Sequence, residues 1–126
     1  MTNAPNEQAC PQAEITERLQ RLPHWTYEDG RIRRTYRTQS WNGTLMVINA
    51  IGHLAEAAWH HPDLTASYAS VEVRLCTHSA HGITDKDFEL AAKIEEVVQW
   101  QPGRAGGALE GTPAQDARFA YIKYDD

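Results

Sequence analysis

Apolar residues recur along the chain at two different spacings, and each spacing predicts a different kind of element. Near the start, Ile15, Leu19 and Leu22 follow one another at four and three residues. This spacing places them on one side of a helix, so it predicts a short amphipathic helix over residues 12–21. Pro23 ends it, because proline lacks the N–H that a continuing helix needs.

Two segments rich in aromatic and β-branched residues come next, separated by Asp29-Gly30. This pattern is typical of a β-hairpin, because glycine tolerates the positive φ of a tight turn. We expect strands near residues 25–28 and 31–38. The second strand carries four arginines that we interpret as one solvated strand face rather than a phosphate-binding tract: Arg31, Arg33, Arg34 and Arg37.

A helical spacing returns between Ser40 and His60 and predicts one long helix. Pro62 lies just beyond its end, and the residue before a proline avoids the helical region of backbone space. The residues expected to form its buried stripe are Leu45, Ile48, Ile51, Ala55 and Ala58.

A second hairpin is expected near residues 65–68 and 70–77, because apolar and polar residues alternate strictly from Val71 to Cys76. The segment from Thr84 to Asp87 then resembles a capping box at the start of a third helix. The apolar stripe of that helix is Phe88, Ala91, Ile94 and Val98.

The composition changes after Trp100, where glycines and prolines indicate an ordered loop or a flexible linker. The apolar run from Phe119 to Tyr124 is either a docked strand or a partner-binding segment. We therefore divide the chain into a flexible N-terminal arm (1–11), one domain (12–100) and a C-terminal extension (101–126).

Together these elements predict an α+β fold, a four-stranded antiparallel sheet with three helices packed on one face. The edges of such a sheet invite pairing, which favours a homo-oligomer.

The formal charge of -5 argues against direct nucleic-acid binding as the main role. No apolar run approaches the roughly 18 residues that span a bilayer, and the N-terminus lacks the features of a secretory signal. The two cysteines show no metal-binding spacing, and a disulfide is not expected. We therefore expect a cytoplasmic protein.

Candidate chemistry concentrates in the histidines, since four of the six lie between positions 60 and 81. Histidine exchanges protons near neutral pH, and several around one pocket can protonate a leaving group and deprotonate another atom. Glu56 and His60 are four residues apart and would share a helix face. With His53 they form a weak alternative, a metal site on that face. Asp87 has a purely structural alternative as the capping residue at the third position of its helix.

These residues resemble the pterin-4a-carbinolamine dehydratases. The resemblance rests on a helix carboxylate, a His-His-Pro motif, an aromatic residue, a strand-end Thr-His and a later Asp, and covers roughly residues 12–99. The matching positions are Glu56, His60, His61, Pro62, Tyr68, Thr77, His78 and Asp87.

The resemblance implies dehydration of 4a-hydroxytetrahydropterin to quinonoid dihydropterin by a homodimer or homotetramer, with a pterin substrate and with neither metal nor cofactor. It implies that His60, His61 and His78 are catalytic, and His61 and His78 are the candidates for proton transfer. The implied substrate-binding residues are Glu56, Pro62, Thr77 and Asp87.

Three residues near the implied pocket differ from those usual in the family: Trp59, Leu64 and Ser79. With the C-terminal extension, they support an alternative function. In that alternative the chain is a dehydratase-like accessory protein that binds a protein partner, for example as a Rubisco assembly factor or a transcriptional cofactor, through residues 101–126.

Overall fold

The computed structural model of the chain describes residues 8–113 and 116–125. Of the N-terminal arm, residues 1–7 lie outside the described residues, and Cys10 N–H donates to the Ile83 carbonyl at 2.7 Å. Within the described residues, three α-helices and five strands follow in the order α1 (Gln12–Arg18), β1 (Thr26–Glu28), β2 (Arg31–Thr38), α2 (Trp41–Ala58), β3 (Asp63–Ser67), β4 (Ser70–Leu75), α3 (Asp85–Val98) and β5 (Ile122–Lys123).

The strands form one antiparallel sheet in the order β1-β2-β4-β3, and β5 also pairs with β2. Both predicted hairpins and the α+β class are confirmed. The second hairpin begins and ends about two residues earlier than expected. Its last strand stops at Leu75 because Thr77 turns to bridge Gly82 across a short loop.

The core lies between the helices and one face of the sheet. Alternation along β4 buries Val71, Val73 and Leu75 completely, as the sequence predicted. In α2 the buried side chains include Val47, Ile51 and Ala55, whereas Leu45 and Ala58 of the expected stripe are exposed. The buried face is therefore displaced around the helix from the expected one. Both stripes have helical spacing, and only packing against the sheet selects between them.

The four arginines of β2 do not form one solvated face. Successive residues of a strand point to opposite sides, so Arg34 faces the core and is only 5% exposed. There its Nε donates to Glu95, which also accepts from Trp25 Nε1 at 3.0 Å and Tyr36 Oη at 2.7 Å. Arg34 also donates to Asp125 near the C-terminus.

The C-terminal extension returns to the domain. Its short strand β5 pairs with the end of β2 through Thr38 and Ile122, and Ile122 is 4% exposed. The docked-strand interpretation of residues 119–124 is thus correct for its central part, while Phe119 is exposed.

Within residues 8–113 and 116–125, no helix combines the length and the apolar character needed to cross a bilayer. Cys10 and Cys76 are both free thiols.

Candidate active site

The end of α2 determines where the two adjacent histidines point. The helix ends at Ala58, earlier than expected, because Trp59 adopts a left-handed conformation with φ 51° and ψ 47°. Trp59 N–H donates to the Glu56 carbonyl at 3.2 Å, and His60 N–H donates to the Ala55 carbonyl at 3.1 Å. This pair of bonds is a Schellman motif, which satisfies the last carbonyls of a helix and turns the chain away from its axis.

His60 consequently does not share a helix face with Glu56. The His60 ring reaches across to α3, where its Nε2 lies 2.6 Å from Asp87 Oδ1. His61 Nε2 instead lies 2.6 Å from Glu56 Oε1. The two neighbouring histidines are therefore each paired with a different carboxylate, one buried and one exposed.

Asp87 is the buried centre of the first pair, and its carboxylate is fully inaccessible. The predicted capping box is confirmed: Thr84 is the N-cap, and its backbone N–H donates to Asp87 Oδ2 at 2.9 Å. The Thr77 hydroxyl donates to the same oxygen at 2.8 Å. Asp87 therefore has two roles at once. Its Oδ2 accepts from the N-cap of α3, as the capping box requires, and its Oδ1 lies against His60.

This network fixes the direction of its hydrogen bonds. With Asp87 in its carboxylate form, which only accepts, His60 Nε2 is the donor and, in the neutral ring, Nδ1 is left as the acceptor. The Thr84 hydroxyl lies 2.7 Å from the Thr77 hydroxyl, which uses its own proton on Asp87. Thr84 is therefore the donor in that contact. The result is an imidazole held in one tautomer by buried polar groups that are all hydrogen-bonded.

His61 and His78 are more accessible than His60. The His61 side chain is 48% exposed, and the Trp59 ring meets it edge-on with 5.0 Å between centroids. His78 opens a short 3-10 turn directly after Thr77 and is exposed. Its Nδ1 lies 3.9 Å from Cys76 Sγ, and burial raises the pKa of the Cys76 thiol above its ordinary value. His78 thus has an uncharged sulfur beside it at neutral pH.

The predicted site residues fall into two contact groups. His60, Thr77 and Asp87 are joined by hydrogen bonds, and His61 is joined to Glu56. Pro62 and His78 belong to neither group. Pro62, which is half-buried, follows His61 along the chain, and His78 follows Thr77. Among the described residues, no hydrogen bond or ring contact joins His61 or His78 to His60.

A groove of about 750 Å³ runs between the end of α2 and the start of α3, and His60 lies in its wall. The groove would admit a flat ring of drug-like size, since ligand pockets commonly measure about 300–1,000 Å³. Its lining residues are Leu54, Ala57, Ala58, Trp59, His60, Lys86, Glu89, Leu90 and Lys93.

The alternative metal site does not assemble from its three candidate ligands, because His60 turns to Asp87 and Glu56 turns to His61. Over the described ranges, no group of three or more His, Cys, Asp or Glu side chains is arranged to hold a metal ion.

Sequence reasoning missed two parts of this site. Thr84 was assigned only to the helix cap, although its hydroxyl extends the network to Thr77. The contribution of α3 to the groove, through Lys86 and Leu90, was also not foreseen. The capping box was the available signal for Thr84, whereas the groove depends on how two helices pack.

The chain is similar to known proteins both in sequence and in fold. The family model described as Pterin 4 alpha carbinolamine dehydratase matches residues 8–97, which contain all the predicted site residues. A relative from Aquifex aeolicus, named "Putative pterin-4-alpha-carbinolamine dehydratase", is 44% identical over 86 residues, covering 68% of this chain and 87% of the relative. A relative of the same name from Chloroflexus aurantiacus is 42% identical over 87 residues, covering 69% and 94%.

A solved structure shares the fold. The crystal structure described as a transcriptional coactivator/pterin dehydratase from Brucella melitensis aligns with a TM-score of 0.68 and 29% sequence identity. The alignment covers 72% of this chain and 99% of that one. By its sequence and by its fold, the chain belongs to the pterin-4a-carbinolamine dehydratase family.

Proposed function

We propose that the chain catalyses the dehydration of 4a-hydroxytetrahydropterin to quinonoid dihydropterin and water. The observation that carries this proposal is the His60–Asp87–Thr77 network, in which a buried carboxylate fixes the orientation of an imidazole at the wall of a groove. His61 and His78 flank that network along the chain. Family membership supplies the substrate class.

The reaction needs two proton transfers and little else. The lone pair of N5 expels the hydroxyl from C4a, so the C4a–O bond breaks and a C4a=N5 double bond forms. One proton goes to the departing oxygen, which leaves as water, and one proton leaves N5. Each such transfer by a positioned side chain is typically worth about 10²–10⁴ in rate. No change of oxidation state occurs, so histidines are sufficient for the chemistry.

We assign the two transfers to His61 and His78, which are exposed enough to meet a substrate. His60 completes the catalytic set, and Asp87 orients it. Glu56 accepts from His61 and holds its ring. Thr77 and Pro62 are further candidates for substrate contact, since Thr77 precedes His78 and Pro62 follows His61 along the chain.

An assay of quinonoid dihydropterin formation tests the proposal. The 4a-hydroxytetrahydropterin is generated in the cuvette, and product formation is followed in the ultraviolet with and without the protein. We expect clear acceleration by the wild-type protein, a loss of at least about 10²-fold in His61→Ala, and little change in His81→Ala. Folded wild-type protein that gives no acceleration over buffer would contradict the proposed function.

We also propose that the chain forms a homodimer or homotetramer. Strand β3 pairs with β4 on one side only, and its outer backbone groups are available to another strand. Size-exclusion chromatography with light scattering would report the mass, and a strictly monomeric protein at working concentration would contradict this part.

A second candidate function is binding of a protein partner through residues 101–126. Leu109 and Phe119 are 58% and 57% exposed, which is unusual for large apolar side chains in one extension. The Brucella melitensis protein is itself described as both a coactivator and a dehydratase. A pull-down with the full chain and with a chain lacking residues 101–126 would separate the functions, since loss of a specific partner only in the shortened chain supports binding.

A further inference from the structure

Trp59 has a backbone conformation that tryptophan does not favour. Its φ of 51° lies in the left-handed region, and two other non-glycine residues among those described share this feature, Asp29 and His81. At the end of α2 it fills the position in a Schellman motif that is usually glycine, because glycine has no Cβ to clash there. Glycine would satisfy the same backbone bonds without strain.

Burial does not compensate for this strain. The Trp59 side chain is 73% exposed, the largest exposure among the big apolar residues of the described chain. The ring contact described for it is the edge-on approach to His61, whose own side chain is half exposed. A residue with a strained backbone and an exposed aromatic ring does little for folding, so a role in binding is the better explanation.

The position of the indole indicates what it would bind. Trp59 lines the groove together with His60, and its ring lies 5.0 Å from the ring of His61 at an interplanar angle of 82°. The indole therefore stands next to both histidines of the pair. A flat heteroaromatic ring that stacked on it would lie beside His60 and His61.

We infer that Trp59 is a substrate-contacting residue on which the pterin ring stacks in the groove. This inference rests on the proposed dehydratase function. Stacked aromatic pairs prefer offset faces with centroids about 4.5–7 Å apart, and the interaction exceeds the contribution of buried area alone. The left-handed backbone at Trp59 ends α2, and Trp59 itself lines the groove.

Three variants test the inference. In Trp59→Gly the strain is relieved and the stacking surface is lost, so the Tm should rise by about 2–5 °C while the KM rises roughly three- to tenfold. The kcat should stay within about twofold, because the acid–base groups are untouched. Trp59→Phe retains an aromatic face and should keep the KM near the wild-type value. His81→Gly relieves the same kind of strain at φ 55° and should raise the Tm without changing the KM.

Binding of 7,8-dihydropterin, a stable flat analogue of the product, provides a second readout by calorimetry. Its Kd should rise in Trp59→Gly in parallel with the KM and stay unchanged in His81→Gly. An active wild-type protein whose KM and Kd are unaffected by Trp59→Gly would overturn this inference and leave the dehydratase function standing. A wild-type protein that neither turns over the pterin nor binds dihydropterin would overturn both.

Discussion

The buried hydroxyl of Thr77 allows the Asp87 network to be tested without touching a histidine. Thr77 is 3% exposed, and its hydroxyl contacts Thr84 at 2.7 Å and Asp87 at 2.8 Å. Thr77→Val keeps the shape of the side chain and removes only those two hydrogen bonds. It leaves Asp87 with one donor fewer and the Thr84 hydroxyl without its acceptor.

The expected cost in stability follows from these two bonds. A hydrogen bond to a charged group contributes about 1.5–3 kcal/mol, and a buried hydroxyl without a partner costs about 1–3 kcal/mol. Because the loop after β4 can relax, we expect the free energy of unfolding to fall by about 2–3 kcal/mol. We expect kcat/KM to fall at least about tenfold, since a small misplacement of an oriented group can cost about 10²-fold in rate.

Thr44→Val is the matched control. Thr44 is also fully buried, and its hydroxyl likewise makes two hydrogen bonds, to Thr38 at 2.8 Å and to the Tyr68 carbonyl at 3.0 Å. It should lower stability by about 1–2 kcal/mol but leave the turnover of folded protein unchanged. Urea unfolding measures the first quantity, and the dehydratase assay at a temperature where both variants are folded measures the second.

The comparison of the two variants decides whether the Asp87 network acts in catalysis or only in folding. If Thr77→Val and Thr44→Val lose stability to a similar extent and both retain wild-type kcat/KM, the Asp87 network serves only the fold. The assignment of Asp87 as the group that orients His60 would then be wrong.

Three further predictions concern the rest of the molecule. A Cβ at Gly43 would collide with the Tyr121 backbone, whereas nothing lies within 4 Å of a Cβ at Gly52. Gly43→Ala should therefore undock the C-terminal extension and speed its proteolysis, while Gly52→Ala should stabilise the protein by about 0.5–1 kcal/mol. Equal rates of proteolysis in the two variants would refute the contact between Gly43 and Tyr121. Asp125→Ala removes a carboxylate from the buried Arg34, so the free energy of unfolding should fall by about 1–2 kcal/mol, and an unchanged urea midpoint would show that Glu95 alone is sufficient. Burial, together with the bond to Glu95, raises the pKa of Tyr36 far above its usual value. Since the phenol of the unfolded chain ionises near pH 10, the free energy of unfolding should fall as the pH rises above about 10, and it should fall less in Tyr36→Phe. Urea unfolding at pH 9 and pH 11 would measure this difference.

Local patterns in the sequence were sufficient for much of the fold. Alternation identified β4, the Asp29-Gly30 turn identified the first hairpin, and the capping box fixed the start of α3. Each of these depends on residues close together in the chain, so neighbouring side chains alone determine the outcome. The spacing of the histidines and carboxylates likewise indicated the family.

Other features depended on long-range contacts. Two stripes of α2 have helical spacing, and packing on the sheet selected the one that contains Val47. The sequence of the C-terminal extension carried no signal that distinguished a docked strand from a partner-binding segment. Its place beside β2 depends on Ile122, on Asp125 and on the close approach of Gly43 in α2.

The site itself combines both kinds of information. The sequence supplied the candidate residues of the site, because the motif lists them in order. Tertiary structure decided which carboxylate holds which histidine, since the left-handed turn at Trp59 sends His60 to Asp87 and leaves His61 with Glu56. The helical spacing of the sequence continues through His60, whereas the helix of the folded chain ends at Ala58. The direction of the side chains that follow depends on the backbone at that end, which spacing alone does not specify.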